Sequence, residues 1–454
     1  MDKQIRVKDI LKVTNGKLIY GNESEVCENF SKDTRNIKIG DTFVGIKGES
    51  FDGSNAYKEA LELGAKGCII NENVVENIEN INGKFIIIVK DTVLAIQNIA
   101  KLKRSMYDIP VIAVTGSVGK TSTKDIIASV VSEKYKVLKT AGNMNNHIGL
   151  PMTILGLKDH TAMVVEMGMN HFGEISTLTN IAKPTIAVIT NIGTAHIGNL
   201  GSRENILKAK LEILEGLKKD GNIIINNDND LLHGWYLDNK EKYNILTYGI
   251  KNKSENMANN IKYEENGSTY ILNNKETVIV PVGGEAFVYN SLAAICVGNI
   301  LEINIDDICN GIKKFILTQM RLDVKKSESG YTVINDCYNA NYDSMKSALE
   351  YLKDINAKRR IAVLGDMLEL GEYSVGLHEK VGEDVVKDKI DILITVGNEA
   401  KNIANIAKKN NIETYEFMEN TDAIKKLKEV LKKEDVVLVK ASNSMKFKEI
   451  VEEI

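Results

Sequence analysis

The residues best suited to chemistry in this 454-residue chain lie between Val111 and Ser122, where an apolar run VIAVT leads into Gly116-Ser117-Val118-Gly119-Lys120-Thr121-Ser122. Glycines at this spacing let the backbone approach a ligand closely, and the helix-forming segment that follows (TKDIIASVVSE) aims free N–H groups at an anion. A lysine and a hydroxyl directly after the second glycine suit a triphosphate: Lys120 reaches the β- and γ-phosphates, and Thr121 offers an oxygen to Mg2+. The general pattern has a further glycine where this chain has Val114, so the loop is a variant. A glycine turn with a chance lysine is the bland alternative, and the order of strand, loop and helix argues against it. The loop alone does not choose between ATP and GTP.

A phosphoryl group in transfer needs its charge neutralised, and hard oxygen ligands on Mg2+ do this with little covalent chemistry from the protein. Such ligands belong at the carboxyl ends of parallel strands. Glu166 fits, following the apolar AMVV and preceding Gly168, and His196 follows TIAVITNIG in the same way. A lone histidine at such a place is equally compatible with a structural role. Lys210, in the helical run ENILKAKLEIL, reads as a solvated lysine on pattern alone.

The elements that must hold these residues follow from the spacing of apolar segments. At about 150 residues per domain, 454 residues make roughly three domains. Residues 1–90 combine a short amphipathic helix (Arg6 to Thr14) with apolar segments ending in FIIIVK, which predicts a small α/β domain. Residues 91–317 open with a helical pattern from Asp91 to Met106. They then alternate buried strands (VIAVT, AMVVEMG, TIAVITNIG, NIIIN) with helices, the signature of a doubly wound parallel sheet. In residues 318–454 the alternation restarts with YTVIND, RRIAVLGDM, DILITVG and DVVLVKAS, which predicts a Rossmann-like third domain.

Composition excludes more than it identifies. A 43% hydrophobic and 26% charged chain is neither disordered nor fibrous. The net charge of -4, from 58 basic and 62 acidic residues without long runs of one sign, argues against nucleic acid as a partner. Cys27, Cys68, Cys296, Cys309 and Cys337 lie far apart with no CxxC, which points to a reducing compartment, the cytoplasm. Neither an export signal nor a membrane-spanning stretch is expected.

Taken together, the segments TGSVGKTS, VVEMGMN, TNIGTAHIGNLGS and KAKLEI resemble the Mur ligase family in order and spacing. NMNNHIGLP, DCYNAN and GDMLELG are similar to the branch of that family that adds D-alanyl-D-alanine. SKDTRNIKIGDTFVGIKGESFDGSNAY resembles a domain binding UDP-linked muramoyl peptides, so the likeness covers nearly the whole chain. It implies an ATP-dependent ligase acting in the cytoplasm, expected as a monomer, that joins D-alanyl-D-alanine to a UDP-N-acetylmuramoyl-tripeptide through an acyl phosphate. Lys120, Lys210, His196 and Glu166 are implied as catalytic. Thr121, Glu166, His196 and a carbamate on Lys210 are implied as Mg2+ ligands, Asn290, Arg321 and Asp336 as ATP contacts, and Asp33, Thr34, Arg35, Lys47, Asn145 and Asn146 as substrate contacts.

The chain departs from the family pattern at Glu285-Ala286-Phe287, at Ala441 and Asn443, and at Tyr342, and no role is carried to those positions. Two other readings compete. One is a ligase adding a single amino acid to a dipeptide nucleotide, although no DNPR-like segment is present. The other is a P-loop switch that binds nucleotide and ligates nothing.

Overall fold

The computed structural model describes residues 3–48, 51–74, 83–264, 267–317 and 320–454. Three large sheets organise them, beside a two-stranded pair of Ile5–Arg6 with Val26–Cys27. In the first, Gly67–Asn71 and Phe85–Val89 pair in parallel as almost wholly buried apolar runs. Thr42–Val44 and Phe30–Ser31 continue the sheet on one side, and Lys17–Tyr20 joins antiparallel on the other.

The second sheet carries the phosphate loop. Its centre is Val111–Thr115, five buried residues lying parallel between Ala162–Glu166 and Ile186–Ile189. The chain leaves this strand first toward one edge (Val137–Lys139 and Ala162–Glu166) and then toward the other (Ile186–Ile189, Asn222–Asn226, Asn244–Gly249). The loop after Val111–Thr115 therefore sits at a topological switch point, where open α/β sheets bind ligands. Helix Lys120–Val131 starts directly behind Gly119, whose φ of +79° is left-handed. That helix packs on Glu285–Ile300, a helix with eleven buried residues, which covers the same face.

Sequence alone predicts strand–helix alternation through residue 317, and here the structure differs. Asn256–Glu264, Gly267–Leu272 and Glu276–Val280 form an antiparallel ribbon at the sheet's edge, with no helix between the strands. The turn at Asn273 and Asn274, both left-handed at φ +48° and +58°, reverses the chain tightly, which favours a hairpin over a crossover. In the third sheet Asp435–Lys440 lies parallel between Thr332–Asn335 and Arg359–Gly365, followed outward by Ile392–Val396 and Glu413–Phe417.

One apolar cluster runs through all three units, from Ile10 and Ile87 through Val114 and Val188 to Leu349 and Leu364. Helix Thr92–Ser105, capped by Asp91 accepting from the N–H groups of Val93 and Leu94, ties the first sheet to the second. Its last turn carries Arg104, 5% exposed, which donates to the carbonyls of Ala182 (2.7 Å) and Lys183 (3.2 Å) at the end of helix Glu174–Ala182.

Candidate nucleotide site

Ser117 to Ser122 line a cavity of about 570 Å³ between the second and third sheets. Gly116 lies just beneath, at φ +152°, where a Cβ would collide with the Thr190 hydroxyl, so only glycine fits. Asn191 braces the loop: its Oδ1 accepts from the N–H groups of Ser117 and Val118, both at 3.0 Å. Lys120 curls back so that Nζ donates to Gly116 O at 2.8 Å. Burial pushes the Lys120 amine below its ordinary value, as does the Arg321 cation, while the Glu166 carboxylate opposes them.

Beneath the loop, Thr121 Oγ1 donates to Glu166 Oε2 (2.8 Å), and Asn145 Nδ2 donates to Glu166 Oε1 (2.7 Å). Glu166 is 2% exposed, so its two oxygens have few partners beyond these and the cavity. Asn146 also lines the cavity, but its Oδ1 accepts from the N–H groups of Ile148 and Gly149 at the start of helix Gly149–Leu155. Asn290 faces Gly119 and accepts from Thr123 Oγ1 (2.9 Å), fastening helix Glu285–Ile300 to the loop's helix.

The third sheet supplies the opposite wall. Arg321 stacks on Tyr338, 4.0 Å from the ring centre. Asp336 accepts from Leu322 N–H (3.1 Å) and from Lys440 Nζ (2.5 Å). His196 lines the cavity too, at φ +64°.

Lys210 lies beside this assembly, 1% exposed, at the end of helix Arg203–Leu211. Its amine is pushed well below the ordinary lysine value by burial and, secondarily, by the Lys120 cation. Among the described residues this amine makes no hydrogen bond or ion pair. Asp33, Thr34, Arg35 and Lys47 do not line the cavity; they lie in the N-terminal unit. Asp33 accepts from Nε and Nη2 along one edge of the Arg35 guanidinium (2.9 and 2.7 Å), which holds the Asp33 carboxyl down to about 2.

Sequence reasoning missed Asn191, Tyr338 and Asp343, all of which line the cavity. It gave Lys440 no role, although a lysine directly after the apolar run VVLV was a signal for a buried cation.

A fold with a lysine-bearing glycine loop at the switch point, and a second domain closing over it, defines a P-loop enzyme that works on a nucleotide held between domains. The chain belongs to the Mur ligase family: residues 114–298 match the Mur ligase middle domain and residues 320–443 the Mur ligase, glutamate ligase domain. It is 38% identical to the UDP-N-acetylmuramoyl-tripeptide--D-alanyl-D-alanine ligase of Bacillus subtilis (strain 168), over 99% of this chain and 98% of that protein. A crystal structure of MurF from Acinetobacter baumannii superposes with a TM-score of 0.89 at 28% identity, covering 99% and 98% of the two chains. A MurF ligase from Thermotoga maritima in complex with ADP superposes with a TM-score of 0.80 at 28% identity, covering 94% and 96%.

Proposed function

We propose that this protein uses ATP to join D-alanyl-D-alanine to a UDP-N-acetylmuramoyl-tripeptide, a step of peptidoglycan precursor synthesis on which cell shape and division depend. The observation that carries this reading is the shared cavity, in which Lys120, Thr121 and Glu166 face Arg321, Asp336 and Lys440 of the next domain. The ADP bound to the Thermotoga maritima relative supports ATP as the nucleotide.

In the proposed reaction, an oxygen of the tripeptide's terminal carboxylate forms a bond to the γ-phosphorus as the bond to the ADP oxygen breaks. The amine of D-alanyl-D-alanine then attacks the acyl carbon, phosphate leaves, and the amine loses a proton. Lys120 stabilises charge on the phosphoryl oxygens, and the loop N–H groups beside it orient the phosphates. Arg321 and the Asp336–Lys440 pair close the other side, so that the acyl phosphate meets the amine before water.

The donors present suit Mg2+. Thr121 and Glu166 offer hard oxygens, and His196 is at hand. Mg2+ bound to a nucleotide usually takes one or two protein oxygens plus phosphate oxygens and water, and Thr121 and Glu166 would supply the protein share. When bound, Mg2+ neutralises the charge of the phosphates. Lys210 is assigned a carbamate that would add a further anionic ligand: burial and the Lys120 cation depress its amine, which favours the unprotonated form that bonds to CO2 with release of one proton.

Asp33, Thr34, Arg35 and Lys47 are assigned to the UDP-sugar, and Asn145 and Asn146 to the peptide side. Residues 1–90, 91–317 and 318–454 are proposed as the substrate, ATP and closing domains. A monomer in the cytoplasm fits a site built from one chain and five free cysteines. No described helix is long and apolar enough to cross a membrane.

The test is phosphate release. Both UDP-tripeptide and D-alanyl-D-alanine must be present for ADP and phosphate to appear. Phosphate release without the UDP-peptide makes the protein a nucleotide switch, and release with a dipeptide nucleotide and one amino acid moves it to the competing ligase branch.

A further inference from the structure

The segment carrying His196 is clasped by the C-terminal domain. His196 Nδ1 lies 2.7 Å from Glu369 Oε2. Gly198 N–H donates to Glu369 O (3.1 Å), and Tyr373 Oη donates to Gly201 O (2.6 Å). Thr194 donates to Asp343 Oδ2 through its N–H (2.6 Å) and its hydroxyl (2.8 Å). The backbones approach so closely that a Cβ on Gly198 would meet Glu369 O at 2.6 Å. Both members of the central pair are left-handed, His196 at φ +64° and Glu369 at φ +62°. Non-glycine residues keep such angles where their surroundings over-determine them, and these places cluster at functional sites.

The chemistry of this pair is one-directional. A carboxylate only accepts, so the Nδ1 that faces it carries the hydrogen, and whenever the ring is neutral the lone pair falls to Nε2. The ring lines the nucleotide cavity and is 18% exposed, whereas Glu369 comes from the GDMLELG segment of the other domain. An imidazole binds a metal through its unprotonated nitrogen, and the hydrogen bond made by the other nitrogen decides which one that is.

We propose that Glu369 is a positioning residue that fixes the tautomer of His196, so that the histidine becomes a competent ligand only when the C-terminal domain is docked. The inference rests on the reading of His196 as a metal ligand. Docking then does two things at once: it brings Arg321 and Asp336 to the cavity and sets the histidine's lone pair.

The test uses the full chain, labelled with 15N-histidine, near pH 8.5, about two units above the ordinary imidazole value. Long-range 15N–1H spectra report the tautomer, with the His196 signal identified by its loss in His196→Ala. Mn2+ affinity in the presence of ADP, read by electron paramagnetic resonance, reports the site without turnover. The wild type should carry the hydrogen on Nδ1. Glu369→Ala should move it toward Nε2 and weaken Mn2+ by about tenfold or more. Tyr373→Phe, which removes one hydrogen bond but leaves the domain docked through Asp343 and Glu369, should leave the tautomer in place. A wild-type hydrogen on Nε2 overturns the inference, as does a Tyr373→Phe protein that shifts as far as Glu369→Ala. If His196→Ala weakens Mn2+ but Glu369→Ala does not, the inference fails and the metal reading stands. If His196→Ala leaves Mn2+ affinity unchanged, the metal reading itself has failed.

Discussion

Strand Val111–Thr115 of the central sheet and strand Ile392–Val396 of the C-terminal sheet both end in a left-handed glycine and turn within a few residues into a helix. At the first turn, the N–H groups of Ser117 and Val118 rest on the neutral amide oxygen of Asn191, and Lys120 stands beside them. At the second, the chain supplies its own anion: Asp366 accepts from Ala400 N–H (2.7 Å) and Asn398 N–H (3.2 Å) and fills the space a Cβ on Gly397 would need. A phosphate can displace a neutral amide oxygen, whereas a buried carboxylate repels it. Both turns follow a parallel strand, and the side chain that occupies the turn decides that one is open to an anion and the other only braces itself.

Mutations can break this comparison. The largest effect belongs to the open turn: Lys120→Ala should lower kcat by on the order of 10³-fold in the coupled phosphate assay. A loss of only a few-fold would leave the central turn no better than its C-terminal counterpart. Next, Lys210→Ala should cost about 10²-fold, partly restored by added acetate or formate if an anionic ligand is what it lacks. Failure of that rescue counts against the carbamate.

Asp366→Ala tests the closed turn. With the carboxylate gone, two N–H groups at the head of helix Lys401–Lys409 lose their acceptor, and urea unfolding should show a loss of about 2 kcal/mol. Unchanged stability would mean that the brace does nothing. The last test sharpens the comparison through pH. The folded-state value of Lys210 lies below its ordinary 10.5, so the unfolded chain binds the extra proton and stability rises as pH climbs from the folded value toward 10.5. In CO2-free buffer, Lys210→Met should be more stable than the parent at neutral pH, with the gap closing toward alkaline pH. A gap that widens instead would mean the lysine is charged and paired in the fold.

The open turn was legible in the sequence because a glycine, a lysine and a hydroxyl at fixed spacing are local features, flanked by strongly periodic strand and helix. Glu166 and His196 could be named as candidates from their places at strand ends. Lys210 could not, because its exposure is set by packing that no local window shows. Only family resemblance pointed to it. The contacts that complete the site, Asp336 with Lys440 and His196 with Glu369, join residues more than a hundred positions apart. The first pair depends on two distant strands becoming neighbours in one sheet, and the second on how two domains meet. The antiparallel ribbon was missed for a different reason: its strands alternate in burial and lie at an edge, so the apolar-run signal that marks a central parallel strand is weak there.

Arg104 sets where the molecule can bend. Its guanidinium is spent on the carbonyls that end helix Glu174–Ala182, so lifting helix Thr92–Ser105 off the central unit would strand a charge in an apolar seam. Helix Thr92–Ser105 is thereby riveted to the central unit, and the seam it closes resists being pried apart.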